Sequence, residues 1–150
     1  MSNRSIGATL YTAGYQGETA ESFLTKIRSV GVKLLLDVRE NPISRKSGFS
    51  KTALKDLCEA NGIAYAHLPA LGVPSQFRKS LRTAEDYFRV LDQYERKLLP
   101  QASEARNQAA RLVRKERTVL LCFERDVHCC HRGRLARVLS AETGIPVVHL

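Results

Sequence analysis

The chain has 150 residues, 24 Lys and Arg against 15 Asp and Glu, and a formal net charge of +9. Its 43% hydrophobic and 26% charged residues exclude a disordered or fibrous protein, and its length suits one domain with its own core. No apolar run approaches the ~20 residues of a membrane span, so we expect no membrane association. The positive charge favours anionic partners such as nucleotides or nucleic acid, although charge also serves solubility alone.

Short apolar runs alternate with amphipathic stretches along the chain, which is typical of parallel β-α units. In chain order the predicted elements are a strand at 9–13, a helix between the cap Thr19 and Gly31, a strand at 34–38, a helix between the cap Ser50 and Asn61, a strand at 63–68, a helical region at 83–116 that Pro100 divides, a strand at 119–123, a helix at 131–140 and a strand at 145–150. This pattern predicts a single Rossmann-like, doubly wound α/β domain over residues 1–150, with five mostly parallel strands and helices on both faces. Residues 1–8 are a candidate loose N-terminal segment.

The N-terminal residues contain no long apolar segment of the kind found in signal peptides, so we expect a cytoplasmic protein. Cytoplasmic cysteines are ordinarily reduced. The sequence therefore predicts that Cys58, Cys122, Cys129 and Cys130 are thiols rather than a disulfide framework.

Polar side chains follow the predicted strands at the point where each strand ends. In strand order these residues are Gly14 and Tyr15, Asp37 and Arg39, His67, and Cys122 and Glu124. Ligands of open parallel sheets bind outside the carboxyl ends of the strands. The sequence therefore predicts a site at this edge of the sheet.

The segment from Cys122 to Arg134 carries the most concentrated chemistry. A helix that begins at Cys130 or His131 would direct its free N–H groups at the sheet edge, where they favour an anion or a thiolate. Arg132 adds positive charge there. We therefore predict that Cys130 is a nucleophile or a redox-sensitive thiol with a lowered pKa. A tyrosine-phosphatase loop is excluded, because no arginine stands six residues after Cys129 or Cys130.

The same segment has two other interpretations. Cys122, His128, Cys129, Cys130 and His131 are residue types that bind metal or haem, although consecutive ligands cannot usually all reach one ion. The other interpretation is buried thiols beside a structural histidine. The sequence identifies no cofactor and no oligomeric state.

The loop at 39–50 is basic and contains Pro and Gly. With Arg45 and an exposed Phe49, it suits a phosphate backbone and one stacked base. The alternative for the start of this loop is an ion pair between Asp37 and Arg39 that fixes its conformation.

Several short motifs together resemble the family catalogued as domain of unknown function 488. In chain order they are Thr12-Ala-Gly14-Tyr15, Leu36-Asp37-Val38-Arg39-x-Asn41-Pro42, Arg45-Lys46-x-Gly48-Phe49, His67-Leu68-Pro69-x-Leu71-Gly72 and Cys122-x-Glu124 followed by Cys130-His131-Arg132. The resemblance runs from about residue 10 to residue 150 and implies an intracellular α/β domain. It supplies no reaction. Cys129 departs from the family pattern, which leaves Cys130 as the candidate for the shared thiol.

Three functions fit these observations. In the first, the protein binds or acts on a phosphate-bearing ligand such as a nucleotide or nucleic acid. Its proposed residues are Arg39, Arg45 and Arg132 for the anion, Glu124 or Asp37 as general base, Cys130 as nucleophile, Tyr15 and His67 for the pocket shape, and Gly14, Phe49, Cys122 and His131 as further ligand contacts. The second is a non-catalytic nucleic-acid-binding module that uses the basic loop and the arginine-rich helix. The third is a thiol-based metal, haem or redox protein centred on Cys122, Cys130 and His131.

Overall fold

The computed structural model describes residues 8–79 and 81–150, so seven of the eight residues of the predicted loose N-terminal segment lie outside the described residues. The strands are β1 (Leu10–Gly14), β2 (Leu34–Asp37), β3 (Ala64–His67), β4 (Thr118–Cys122) and β5 (Val147–His149). They form one parallel sheet in the order β3-β2-β4-β1-β5. The predicted α/β architecture is thereby confirmed, with β4 in the centre of the sheet.

The helices are α1 (Ala20–Ser29), α2 (Lys51–Ala60), α3 (Ala84–Gln93), α4 (Leu99–Gln101), α5 (Ser103–Lys115) and α6 (His131–Thr143). A π-helical segment at Tyr94–Leu98 joins α3 to α4, and short 3₁₀ helices lie at Pro69–Leu71, Ser75–Phe77 and Val127–Cys129. None of the helices in the described ranges has the length and apolar composition that crossing a bilayer requires.

Helices cover both faces of the sheet. Successive strand residues point to opposite faces, so each inner strand contributes to a core cluster on either side. Leu36 and Leu120 belong to the core cluster that includes side chains of α5 and α6. Leu35 and Leu121 belong to the other cluster, which includes side chains of α1 and α2, Phe23 among them. Because helices cover both faces, the inner strands β2 and β4 consist mostly of consecutive apolar residues.

The predicted helix starts are largely confirmed, and one predicted break is wrong. The hydroxyl of Thr19 caps α1 by accepting the backbone N–H of Ser22 at 3.0 Å. Ser50 precedes α2 as predicted, but its hydroxyl donates to the carbonyl of Ser44 at 3.1 Å instead of capping the helix. The helical region breaks at Ala102 rather than at Pro100. Pro100 lies in the first turn of α4, where a missing N–H is tolerated.

Candidate functional site

The candidate site is built around the carboxyl end of the central strand β4. Cys122 is the last residue of β4 and aligns with Gly14, the last residue of β1. Cys130 directly precedes α6 as its N-cap. The loop between β4 and α6 therefore places Cys122, Glu124, Cys130 and Arg132 at the edge where the sequence predicted a site.

Cys122 and Cys130 are joined by a disulfide bond, although eight positions separate them in the chain. Both residues are buried, with 1% and 2% of their surface exposed. Cys58 and Cys129 are free. The prediction of four thiols is therefore wrong for one pair. The β4–α6 loop turns back on itself and brings the two cysteines together. The spacing of the cysteines in the sequence does not show this proximity.

Cys130 contacts the N-terminus of α6 and the ring of His131. The backbone N–H of Arg132 points at the sulfur of Cys130 from 3.5 Å. The Nε2 of His131 lies 2.8 Å from the carbonyl of Val38, and its Nδ1 lies 3.9 Å from the same sulfur. Because a carbonyl can only accept, Nε2 carries the ring proton and the Nδ1 lone pair faces Cys130.

The burial of His131 makes stability dependent on pH. Burial lowers the pKa of His131 to about 4, with the hydrogen bond to Val38 acting in the opposite direction. An unfolded histidine has a pKa of about 6.5, so between these values the unfolded chain binds a proton that the folded chain does not. This contribution to the free energy of unfolding is complete above pH 6.5 and falls as the pH drops towards 4.

Urea unfolding between pH 4 and pH 6.5 should show that the free energy of unfolding depends less steeply on pH in His131→Asn than in the wild type. The same pH dependence in both proteins would contradict the role of His131.

Two opposite charges face the sulfur of Cys122. The Nη1 of Arg132 lies 3.6 Å from this sulfur. The Oε2 of Glu124 lies 3.2 Å from it. A guanidinium stabilises a thiolate, and a carboxylate can accept or return the proton of a thiol.

Arg132 is a buried cation, with 1% of its surface exposed. Its Nη1 donates to the carbonyl of Glu124 at 2.5 Å and its Nη2 to the carbonyl of Arg125 at 3.2 Å. Within the described ranges its Nε has no hydrogen-bond partner and its guanidinium forms no ion pair with a carboxylate. Burial lowers the pKa of Arg132, whereas the carboxylates of Glu124 and Asp126 raise it. A buried charge without a close counterion is costly, so this position favours an anion beside it.

Gly14 allows the β4–α6 loop to approach the sheet. A Cβ at this position would lie 1.8 Å from the carbonyl oxygen of Glu124 and 3.0 Å from Nη1 of Arg132. Only glycine leaves room for that backbone contact. Gly14, predicted as a ligand contact, lies directly under the loop that carries the cysteines.

Asp37 and Arg39 form a buried ion pair beside this group, which is the alternative that the sequence analysis left open. Arg39 donates from Nε to Oδ1 of Asp37 at 2.8 Å and from Nη2 to Oδ2 at 2.7 Å. Its Nη1 donates to the hydroxyl of Tyr15 at 3.1 Å and to the carbonyl of Phe49 at 2.7 Å. Burial lowers the pKa of Arg39, but the hydrogen bonds and charge of Asp37 outweigh it and raise the pKa overall. The guanidinium is thus committed to contacts inside the protein.

Tyr65 completes this network and was missed from the sequence. Its hydroxyl donates to Oδ2 of Asp37 at 2.5 Å. Burial and the Asp37 carboxylate raise the pKa of Tyr65, which keeps the proton on the donor. Its position two residues before His67 puts both on one face of β3, and this spacing was the available signal.

The loop at 39–50 corrects one prediction. Phe49 is fully buried and stacks on Tyr15, with ring centroids 4.4 Å apart, so the prediction of an exposed ring is wrong. Burying an aromatic ring stabilises the folded state more than leaving the ring exposed to solvent. Arg45 is exposed on this loop. His67 contacts the loop backbone through Nε2, 2.7 Å from the carbonyl of Arg39.

Two cavities open near the carboxyl edge. One of about 90 Å³ is lined by Glu124, Cys129 and His131 of the site and by residues of α3 and the segment before it. The other, of about 750 Å³, is a groove lined by α6, His128 and His149. Neither cavity can be predicted from the sequence, because both depend on how α3 and α6 pack.

The metal interpretation can be tested against the donor atoms. The sulfurs of Cys122 and Cys130 and a ring nitrogen of His131 lie within 4.8 Å of one another, close enough to share an ion. The guanidinium of Arg132 beside Cys122 disfavours a second cation at the same place by charge repulsion. Cys129 is exposed and lies outside this group. The donor atoms are therefore close enough to share a metal, but cysteines bind metal as thiolates and the disulfide between Cys122 and Cys130 leaves none in this state.

The chain matches the family model described as Domain of unknown function DUF488 over residues 19–139. The chain belongs to this family. The matched range of the DUF488 model includes Asp37, Arg39 and the whole segment from Cys122 to Arg132, and it begins after Gly14 and Tyr15. No curated protein and no solved structure matches the chain.

Proposed function

We propose that this DUF488 protein is a thiol–disulfide redox protein in which Cys122 and Cys130 alternate between a dithiol and a disulfide. The observation that carries the proposal is the buried guanidinium of Arg132, which lies 3.6 Å from the sulfur of Cys122 within a bonded cysteine pair. Reduction of the pair creates the anion that this buried cation lacks. A cytoplasmic location belongs to the same proposal, since cytoplasmic reductants would keep the pair reduced at rest.

The proposed cycle balances two electrons and two protons. For reduction, a thiolate of an external dithiol attacks one sulfur of the pair, the S–S bond breaks, and its electron pair leaves on the other sulfur. The second thiol of the reductant then displaces the first, which leaves the reductant as a disulfide. Cys122 and Cys130 end as two thiols or thiolates.

The surroundings assign different roles to the two cysteines. Cys122 holds the thiolate, because Arg132 faces its sulfur. Glu124, which is half-buried, accepts or returns the proton of Cys122 between the sulfur and solvent. The backbone N–H of Arg132 points at the sulfur of Cys130, and the Nδ1 lone pair of His131 faces that sulfur as a hydrogen-bond acceptor for the S–H of the reduced residue. The general-base role predicted for Glu124 thus becomes proton transfer with Cys122.

The anion-binding function stays a prediction. Of the three arginines that were to hold a phosphate, Arg39 and Arg132 direct their guanidinium groups at atoms within the protein. Only Arg45 among them is exposed. The nucleic-acid module and the metal or haem protein also stay predictions. Nucleotide and oligonucleotide binding at low salt, and metal analysis of the reduced protein, test them.

Differential alkylation tests the proposed function. Protein treated with a disulfide-forming oxidant and then unfolded should alkylate at Cys58 and Cys129 and yield a linked Cys122–Cys130 peptide; prior reduction should expose all four thiols. Cys129→Ser is the matched control and should keep the linked peptide, whereas Cys122→Ser should lose it. A bond from Cys129 to either partner, or four thiols that stay free after oxidation, would overturn the proposal.

A further inference from the structure

Reduction of the Cys122–Cys130 pair would create two sulfur ligands beside a histidine. The sulfurs of Cys122 and Cys130 and a ring nitrogen of His131 lie within 4.8 Å of one another, and all three residues are buried. Cysteines bind metal as thiolates, so the disulfide offers no sulfur ligand and the reduced pair offers two. Thiolate sulfur and imidazole nitrogen are the ligands that zinc prefers in proteins. The reduced protein therefore has a zinc-binding donor set that the disulfide form lacks.

The ring of His131 is already oriented to act as a ligand. Its Nε2 donates to the carbonyl of Val38 at 2.8 Å, so its Nδ1 carries the lone pair, and Nδ1 lies 3.9 Å from the sulfur of Cys130. Metal-bound histidines ordinarily donate their second ring N–H to a carbonyl or a carboxylate in this way. The ring proton of His131 therefore need not move when a metal binds.

The two sulfurs also have hydrogen-bond donors beside them. Nη1 of Arg132 lies 3.6 Å from the sulfur of Cys122, and the backbone nitrogen of Arg132 lies 3.5 Å from that of Cys130. Outer hydrogen bonds of this kind hold metal ligands in place. The Cα atoms of the two cysteines are 7.5 Å apart, which leaves room for the sulfurs to separate to about 3.7 Å, as two zinc–sulfur bonds of ~2.3 Å at a tetrahedral ion require.

The charges of the reduced site balance around a divalent cation. The negative charges belong to the two thiolates and to the carboxylate of Glu124, which lies 3.2 Å from the sulfur of Cys122. The guanidinium of Arg132 and one zinc ion together supply an equal positive charge. In the disulfide form only Glu124 opposes the guanidinium at this place. The repulsion between Arg132 and a second cation is therefore offset only after reduction.

We propose that the reduced Cys122–Cys130 pair and His131 bind one zinc ion and that oxidation of the pair to the disulfide releases it, an inference that rests on the dithiol state of the proposed function. Binding displaces the protons of two thiols and moves no electrons. The oxidant is a two-electron acceptor of the azo class. The S–S bond forms from the two thiolates, the azo compound takes up two electrons and two protons as a hydrazine, and zinc leaves because its sulfur ligands have lost their charge.

Cobalt(II) is the spectroscopic probe of the site, because its bonds to thiolates absorb light and those of zinc do not. The protein is reduced with a phosphine, desalted without oxygen and titrated with cobalt(II). We expect one cobalt(II) per chain with thiolate-to-cobalt charge-transfer absorption, which an equal amount of zinc abolishes. The disulfide form should show no such absorption. A reduced protein whose four thiols all titrate but which shows no charge-transfer absorption would overturn the inference.

Cysteine variants locate the site. Cys129→Ser is the matched control and should titrate as the wild type does, because Cys129 is free and lies outside the donor group. Cys122→Ser and Cys130→Ser should each lower zinc affinity by more than about a hundredfold, the upper end of what losing an outer hydrogen-bond partner costs. Either ligand variant that folds suffices for the comparison. Absorption that survives in it, or that disappears in Cys129→Ser, would contradict the site.

Oxidation of the zinc-loaded protein tests the release. Diamide should produce the linked Cys122–Cys130 peptide and free one zinc ion per chain, measured with a colorimetric chelator. Zinc that stays bound while the pair becomes linked would contradict the inference. A pair that cannot be reduced, or that does not form its bond again in zinc-free protein, refutes the proposed function. A pair that cycles in zinc-free protein but never binds the ion refutes only the zinc site.

Discussion

Replacing Asp37 with alanine is expected to lower the free energy of unfolding by about 3–5 kcal/mol, the usual cost of leaving one partner of a buried ion pair without the other. Asp37 is fully buried, and Arg39 exposes only 5% of its surface. Without the carboxylate, the guanidinium of Arg39 and the hydroxyl of Tyr65 both lose their acceptor. Urea unfolding of the two proteins measures the difference.

Asp92→Ala is the matched control for this substitution. Asp92 also pairs with an arginine, Arg134, at 2.8 Å, but half of its side chain is exposed. Solvent screens such a pair, so the urea midpoint should stay close to that of the wild type. Similar losses for Asp37→Ala and Asp92→Ala would show that burial of the Asp37 pair contributes nothing, contrary to this account.

Replacing Arg132 with methionine is expected to raise the pKa of the reduced Cys122 thiol by about 1–3 units, the range that a nearby opposite charge produces. The physical reason is loss of the guanidinium 3.6 Å from the sulfur, while the carboxylate of Glu124 remains 3.2 Å away. Thiolate absorbance against pH, measured in a background with Cys58, Cys129 and Cys130 replaced by serine, reports this pKa alone.

Two further variants separate the charge of Arg132 from its structural contacts. Arg132→Lys keeps the charge and loses the bonds to the Glu124 and Arg125 carbonyls, so its shift should be smaller than that of Arg132→Met. Arg134→Met, two residues along α6, removes a charge that pairs with Asp92 and Glu95 and should leave the pKa of Cys122 unchanged. Identical titrations for Arg132→Met and Arg134→Met would remove the role assigned to Arg132.

The fold was predictable because its three inner strands are buried on both faces and two of its longer helices begin at threonine capping residues. The runs Leu34-Leu35-Leu36 and Val119-Leu120-Leu121-Cys122 are continuously apolar, which is typical of strands covered on both faces of a sheet. Thr19 and Thr83 each precede a helix and form a capping box. The approach of Asp37, Cys122 and Cys130 to one edge followed from the parallel topology.

Pair contacts within that edge were not predictable to the same degree. The Asp37–Arg39 ion pair was one of two alternatives that the sequence left open. Phe49 is buried because Tyr15 and Phe23 surround its position in space. A loop has no periodicity from which such burial can be read. The disulfide depends on the path of the β4–α6 loop, and the small cavity depends on how α3 packs against that loop. Neither can be predicted from the spacing of the cysteines.

Redox equilibrium of the Cys122–Cys130 pair tests the central claim most directly. The protein is equilibrated with mixtures of reduced and oxidised dithiothreitol at fixed pH, acid-quenched and alkylated, and the linked fraction is measured by mass spectrometry. The account predicts a reversible two-electron curve, tenfold in equilibrium constant for about 30 mV, that is the same from either direction and unchanged in Cys129→Ser. A pair that stays reduced or stays linked across the whole series, or a curve that Cys129→Ser abolishes, would contradict it.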